Sequence, residues 1–337
     1  MTTHDQLRIG SVCSGYRGLD MAVEAVFGGT TAWVSDIDPG ANRILAHHWP
    51  DVPNIGDLTT TDWSAVEPVD IFCGGYPCQP FSSAGLRKGT EDERHIWPWI
   101  ARALGVLRPR YAVFENVGNH LRLGFDTVLA DLAALGLDAE WLCVRASDAA
   151  MAPHPRRRLI LLATAQDANG STCDQWRLSA PGQTEGWGAR ADAGRRGGAP
   201  AANTDSPAGR LDVEGSRPGK VQGAEVPEWQ AQQPGRLRSG GEDEVSLAWG
   251  AFEPAIRRWE YATGRRAPWA TDDRNRLSPA FVEWLMGLPA GHVTDVPGLS
   301  RNQQLHALGN GVVPQQAEAA LRLLAERAGI TMAAAAV

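Results

Sequence analysis

The sequence predicts an α/β protein: a doubly wound, mostly parallel sheet with helices on both faces, joined by a smaller, partly irregular region. Three observations predict it. Short apolar runs alternate with amphipathic stretches through the first 165 residues. The runs are apolar throughout, as strands covered on both faces must be. Glycines and charged residues fall just after several of the runs, where sheets of this kind hold their ligands.

In order, Leu7–Cys13, Ala32–Ser35, Val69–Cys73, Tyr111–Phe114, Trp141–Val144 and Leu159–Ala163 read as buried strands. Leu19, Ala22, Val23 and Val26 have the spacing of one helix face, and Phe125, Val128, Leu129, Leu132 and Leu135 repeat it. Strand–helix alternation of this kind builds parallel pairs. The texture changes near residue 166. Residues 181–241 hold 13 glycines and 6 prolines but only five Leu, Ile, Val or Phe. Such a low-complexity segment cannot bury much core and reads as irregular or disordered. Apolar patterning returns near 247 with Trp249, Phe252, Ile256 and Trp259. Two helices, Pro279–Met286 and Pro314–Arg327, are expected to close the chain, the second with proline in its first turn. Ala333–Val337 reads as a frayed tail.

With 337 residues and 43% hydrophobic content, the chain has room for one large and one smaller domain. No apolar run approaches the roughly 18 residues that span a bilayer. Met1–Gln6 lacks the basic patch and apolar stretch of a signal peptide. The cysteines at 13, 73, 78, 143 and 173 are odd in number and scattered, and no CxxC pair or metal-ligand spacing occurs. A reduced, cytoplasmic protein with no metal and no membrane partner is expected. The net charge of −7 looks wrong for a nucleic-acid partner, but it is unevenly spread. Residues 1–150 carry 11 basic and 19 acidic residues, whereas 254–276 carry six arginines against three acids. That local strip is compatible with DNA binding.

Several residues have no reason to be where they are in a purely structural strand pattern. Cys78 follows Gly74-Gly75-Tyr76-Pro77 and precedes Gln79-Pro80-Phe81-Ser82. Pro77 fixes the backbone before it, and the two glycines are read as permitting a tight turn. A lone cysteine is ordinarily a small buried hydrophobe, the reading given to Cys13, Cys73 and Cys143. A strand running into Gly-Gly-x-Pro-Cys is not a core pattern, and Cys78 is read as a nucleophile in its thiolate form. Glu115 ends an apolar run, where a carboxylate is costly without a partner or a task. Alone, it could equally be ion-paired. In His154-Pro155-Arg156-Arg157-Arg158, alternation puts Arg156 and Arg158 on one face. Two such arginines suit a base carbonyl or a phosphate, and a solvated basic run is the competing reading. Ser14-Gly15-Tyr16-Arg17-Gly18 is a partial glycine loop that does not by itself separate NAD from other adenosyl cofactors. Asp36, about 20 residues further on, is placed for ribose hydroxyls, and Asp57 for an adenine amine. Either could be an ordinary strand-end aspartate.

As an ordered set, Pro77-Cys78-Gln79, Glu115-Asn116-Val117, Arg156-x-Arg158 and Gly309-Asn310-Gly311-Val312-Val313-Pro314 closely resemble the motifs of the DNA (cytosine-5) methyltransferase family, bacterial or phage type. The resemblance covers about 7–165 and 277–325. It implies a Rossmann-like S-adenosylmethionine-dependent methyltransferase fold, with S-adenosylmethionine as methyl donor and double-stranded DNA as partner. It also implies a catalytic and cofactor-binding unit over 1–165, completed by 277–330, and a target-recognition region over 166–276. Cys78 would add to carbon 6 of a flipped-out cytosine while Glu115 holds the ring, with Arg156 and Arg158 beside it. Ser14, Gly15, Gly18 and Leu19 would line the cofactor site from the first loop. Asp36 would bind the ribose, Ile37 and Leu58 would sandwich the adenine, and Asp57 would take its amine. Pro77, Ile96, Asn310, Gly311 and Val312 would complete the pocket. Gln79, Ser82, Ser83 and Arg87, in a loop over 79–94 that closes on DNA, would touch the duplex, as would Arg257 and Arg258. A monomer is expected, with or without a cognate restriction endonuclease acting on the same site.

Three departures from the family pattern stand out. The first loop usually reads Phe-x-Gly-x-Gly-Gly, and here Cys13 replaces the Phe and Arg17 the middle Gly. Met151 stands where glycine is common, and the recognition segment is poor in hydrophobes, which puts target readout on about 245–276. The rival readings are a transfer-RNA methyltransferase of the same fold, a non-catalytic DNA-binding relative, and a misread NAD enzyme. The Cys-Phe-Thr segment of the transfer-RNA branch is absent, and the intact Cys78/Glu115/Arg158 set argues against the other two.

Overall fold

The computed structural model describes residues 6–77, 96–166 and 249–333. All six apolar runs are strands: β1 Arg8–Val12, β2 Thr30–Ser35, β3 Ile71–Gly75, β4 Tyr111–Val117, β5 Leu137–Arg145 and β6 Arg157–Ala165. They form one sheet in the order β2-β1-β3-β4-β6-β5. The first four strands pair in parallel, and β6 runs antiparallel to both β4 and β5. The chain leaves β1 toward β2 and returns on the other side at β3. That reversal opens a crevice beyond the C-terminal ends of β1 and β3, the place where sheets of this topology bind ligands.

Helices cover both faces. α1 (Gly18–Phe27), α2 (Pro39–His48), α3 (Trp97–Leu107), α4 (Phe125–Ala134) and the single turn α5 (Ala146–Ala149) belong to the first part of the chain. α6 (Glu253–Thr263), α7 (Pro279–Leu285), α8 (Arg301–Asn310) and α9 (Pro314–Arg327) follow in the last part. Alternation along β4 divides the core. Ala112 and Phe114 pack with Phe72, Ile100, Leu104 and Leu132 under α3 and α4. Tyr111 and Val113 pack with Ile71, Val23, Leu321 and Leu324 under α1 and α9. A third cluster joins Trp249, Ile256, Trp259, Phe281 and Trp284 to Tyr16 and Ile44, so the last part of the chain sits directly on the loop after β1 and on α2.

The expected α1, α4, α7 and α9 are present, the last over Pro314–Arg327 as the periodicity indicates. Five helices among the described residues, α2, α3, α5, α6 and α8, are additional to that expectation. α2 begins at Asp38, whose carboxylate caps the amides of Gly40 and Ala41, with Pro39 in the first turn. α3 begins beside Pro98. α8 lies between the two helices expected to close the chain. It buries only Leu308 and so shows no apolar stripe, and it is announced instead by a capping box from Ser300 to Gln303.

Candidate active site

The loop after β1 is shaped by three alternating left-handed residues, Cys13, Gly15 and Arg17, at φ 52, 54 and 67. Alternation of this kind turns successive amides toward one concave side. The Gly15 amide donates to Asp36 Oδ2 at 2.8 Å, and the Asp38 amide donates to Asp36 Oδ1 at 2.9 Å. Asp36, just past β2, therefore holds the loop in place. Burial raises its pKa above the ordinary carboxylate value against the pull of these amides. Arg17, the departure noted above, turns away from the crevice into the protein. Its guanidinium pairs with Asp20 at 3.1 Å and Glu24 at 2.6 Å, donates to the Thr31 hydroxyl, and lies 4.2 Å over the Trp49 ring.

The loop is closed from the far end of the chain. Tyr16, fully buried, donates its hydroxyl to the Val312 carbonyl at 2.6 Å, while its own carbonyl contacts His292 Nε2 at 2.9 Å. Burial pushes the Tyr16 phenol above its usual pKa. A Cβ at Gly18 would stand 2.3 Å from the Val312 carbonyl oxygen, and one at Gly311 would stand 1.9 Å from the Tyr16 ring. Both positions must be glycine for the two segments to interlock.

Next to this junction, β3, β4 and β6 bring together the residues read as chemical. Glu115 on β4 is buried, and its Oε1 lies 2.6 Å from Arg158 Nε on β6. Burial raises the pKa of Glu115, partly offset by Arg158 and Arg156. Asn116 donates through Nδ2 to the Tyr76 carbonyl at 3.1 Å, and its Oδ1 accepts from the Val117 amide. The Tyr76 ring packs against Trp97, Phe114 and His120, and its hydroxyl meets His120 Nε2 at 2.8 Å. The backbone that leads to Pro77 is thus pinned by β4. Cys78, Gln79, Ser82, Ser83 and Arg87 lie outside the described residues.

The reading of Gly74 and Gly75 as turn residues is corrected. Both lie in extended β3, and neither has a positive φ. They are small for reasons of space. A Cβ at Gly74 would stand 2.7 Å from the Val12 carbonyl, and one at Gly75 would stand 3.2 Å from Glu115 Oε2. Of the described cysteines, Cys13 faces the crevice, but burial and the nearby Asp36 push its thiol up to about 12, so it stays protonated. Cys73 is fully buried and its pKa is pushed well above the usual thiol value, and Cys143 Sγ accepts from Arg157.

Every residue assigned above to the cofactor lines one cavity of about 610 Å³ at the crevice, together with Glu115 and Arg158. The volume lies in the usual range for cofactor sites. Ile37 is 68% exposed and Leu58 only 4% exposed, and both line the cavity, so apolar surface is available to a purine there. Asp57 caps its own turn through Thr59, with one carboxylate oxygen, Oδ1, carrying both bonds. The carboxylates of Asp36 and Asp57, the loop after β1 and this apolar pair fit an adenosyl group carrying a polar tail. Tyr16, Asn116 and His306, which also shape or line the site, were not among the expected site residues. The Asn116 position was visible within Glu-Asn-Val, but its partner was not.

Two of the six arginines in the basic strip are ion-paired to described residues. Arg257 pairs with Glu253 and Glu260 on its own helix, and Arg276 pairs with Asp272. Arg258 is exposed on the outer side of α6 beside Tyr261, which is 86% exposed. The arginine faces are as alternation requires: Arg158 turns to Glu115, Arg157 turns to Cys143, and Arg156 returns to the first side, onto the Gly309 and Gly311 carbonyls.

The sheet order and the cleft beyond β1 and β3 define an α/β domain of the S-adenosylmethionine-dependent methyltransferase fold. The S. pombe Dnmt2 methyltransferase shares this fold at a TM-score of 0.57 and 18% identity, over 96% of this chain and all of that one. The model of the C-5 cytosine-specific DNA methylase family matches residues 7–186, and the chain belongs to that family. Among curated relatives it is 38% identical to the DNA N-6-adenine-methyltransferase of Escherichia phage P1, over 38% of this chain and 19% of that protein. It is 32% identical to the Type II methyltransferase M.NlaIV of Neisseria lactamica, over 38% of this chain and 33% of that protein. The chain thus spans a third or less of the length of these two relatives.

Proposed function

We propose that this protein methylates carbon 5 of cytosine in double-stranded DNA, with S-adenosylmethionine as donor and Cys78 as nucleophile. One observation carries the reading: the residues matched to cofactor binding and the Glu115–Arg158 pair, drawn from eight separate stretches of sequence, line a single cavity. Pro77, the neighbour of Cys78, is one of them.

The first loop, Asp36, Asp57, Ile37 and Leu58 hold the adenosyl part, and Asn310, Gly311 and Val312 close the site. When bound, the cofactor supplies an electrophilic methyl group. The target base must leave the duplex, because a thiolate cannot reach carbon 6 within the stack. The Cys78 thiolate adds to carbon 6, and the electron pair of the 5,6 double bond makes carbon 5 nucleophilic. Glu115, whose pKa burial raises, hydrogen-bonds ring nitrogen 3 and offsets the charge that develops there. Arg158 holds the Glu115 carboxyl in place. Transfer of the methyl group to carbon 5 would release the donor as a neutral thioether, and loss of the carbon 5 proton to solvent restores the double bond and expels Cys78 as the thiolate.

Labelled methyl transfer to duplex DNA, RNA and DNA lacking cytosine tests this reading. Label should appear in duplex DNA, map to cytosine carbon 5 by bisulfite sequencing, and vanish in Cys78→Ser. Methylation surviving in that variant, or label on adenine or RNA alone, would overturn it. A monomeric state, the DNA contacts of Arg257, Arg258 and the 79–94 loop, the division at about 166 and 277, and a companion endonuclease acting on the same site belong to the same proposal.

A further inference from the structure

Arg156, one residue before β6, and Arg158, within it, turn to the same side but do different things. Arg158 lines the cavity and pairs with Glu115. Arg156 is not among the described residues that line the cavity. Its Nη2 donates to the Gly309 carbonyl at 2.8 Å and to the Gly311 carbonyl at 2.5 Å. Gly309 is in the last turn of α8, and the last four carbonyls of a helix have no partner within it. They also carry the negative end of the helix dipole, so a cation there is favoured. The Arg156 backbone is held in turn by α9, since fully buried Gln316 donates through Nε2 to the Arg156 carbonyl at 2.7 Å and the Val144 carbonyl at 3.0 Å. The α8–α9 junction is therefore clamped twice. The Arg156 side chain grips one side, and the Gln316 side chain grips the Arg156 backbone at the entry to β6. Gly309, Asn310, Gly311 and Val312 are cavity wall.

We propose that Arg156 is a positioning residue for the cofactor wall, capping α8 so that Gly309–Val312 keeps its shape, and that it does not contact the target base. This revises the expectation that both arginines act on the substrate, and it rests on the proposed use of S-adenosylmethionine. Arg156 acts before DNA arrives; Arg158 acts through Glu115 on the base.

The test is calorimetric binding of S-adenosylhomocysteine to the full chain without DNA, for wild type, Arg156→Ala, Arg156→Lys and Arg158→Ala. Wild type must bind; if it does not, the function proposed above fails, and the role of Arg156 fails with it. Given binding, Arg156→Ala should raise Kd about 10- to 100-fold, the range lost with a hydrogen bond to a charged group. Arg158→Ala should weaken binding less than Arg156→Ala does, since that side chain meets Glu115 and not Gly309–Val312. Arg156→Lys keeps the charge but on a shorter stem without the planar guanidinium, so it should fall between, with kcat retained at saturating cofactor. It carries the test alone if the alanine variant does not fold. Cofactor affinity unchanged in Arg156→Lys or Arg156→Ala, with kcat lost, overturns the proposal and returns Arg156 to the base.

Discussion

Arg17 offers a quantitative test, because two opposing effects act on one side chain. It occupies a left-handed backbone position, φ 67, where the family motif usually has glycine. For a residue with a Cβ that conformation costs about 1–2 kcal/mol. If strain ruled, Arg17→Gly would stabilise the protein by about that amount. The side chain argues otherwise. Arg17 and Asp20 are each only 2% exposed, and removing the cation leaves that carboxylate buried and uncompensated. Breaking a buried pair in this way costs about 3–5 kcal/mol. Glu24 is 35% exposed and adds little, whereas the contact with Trp49 adds about 0.5–1 kcal/mol. Set against relief of strain, Arg17→Gly should destabilise by about 2–5 kcal/mol. Equilibrium urea unfolding measures this as a fall in midpoint at unchanged slope. Adding Asp20→Asn should recover a large part of the loss, because the stranded charge is then gone. A glycine variant as stable as wild type, or more so, would show that the network contributes nothing beyond what the strained backbone takes away.

Two further outcomes follow from the site. Asn116→Ala frees the Tyr76 carbonyl and with it the backbone entering Pro77. Turnover should fall by about tenfold or more, while S-adenosylhomocysteine binding stays at the wild-type value; a loss confined to cofactor affinity would contradict this. Glu115 has a pKa raised above 4.5 by burial, so its contribution to stability is complete below the ordinary value and is lost as pH rises through the raised one. In urea unfolding between about pH 4 and 8, Glu115→Gln should therefore gain on wild type as pH rises through that window. A gap that moves the other way would mean that Arg158 outweighs desolvation.

What could be read from one sequence was what depends on local period. Strands show as apolar runs and α1, α4 and α9 as stripes, because each buries a face against the sheet. α8 buries one residue, and its signal lies in its caps. The residues of the site were legible because glycines, carboxylates and arginines stand where a strand has no packing use for them. Their partners were not. Tyr16 meets Val312 across 296 positions, and Arg156 meets Gly309 across 153. Such contacts are set by how α8 and α9 fold back on the first loop, which no local pattern encodes. Alternation placed Arg156 and Arg158 on one face, yet it could not say that one would find a carboxylate and the other a helix end.

Gly75 separates a conformational reason from a spatial one, and the difference can be measured. If it served a turn, Gly75→Ala would be strained and would cost stability. Its backbone is instead extended, which alanine adopts freely. The new methyl would lie 3.2 Å from Glu115 Oε2, close enough to shift that carboxylate by a few tenths of an ångström. Stability should change by less than about 1 kcal/mol, since no buried group loses its partner and the added volume is one methyl. Turnover should nonetheless fall about tenfold or more, because misplacing a catalytic group slightly is costly in rate. S-adenosylhomocysteine affinity should hold. A variant that loses stability while its folded fraction turns over normally would return Gly75 to the turn reading; one that folds normally and turns over slowly makes the glycine part of how Glu115 is held.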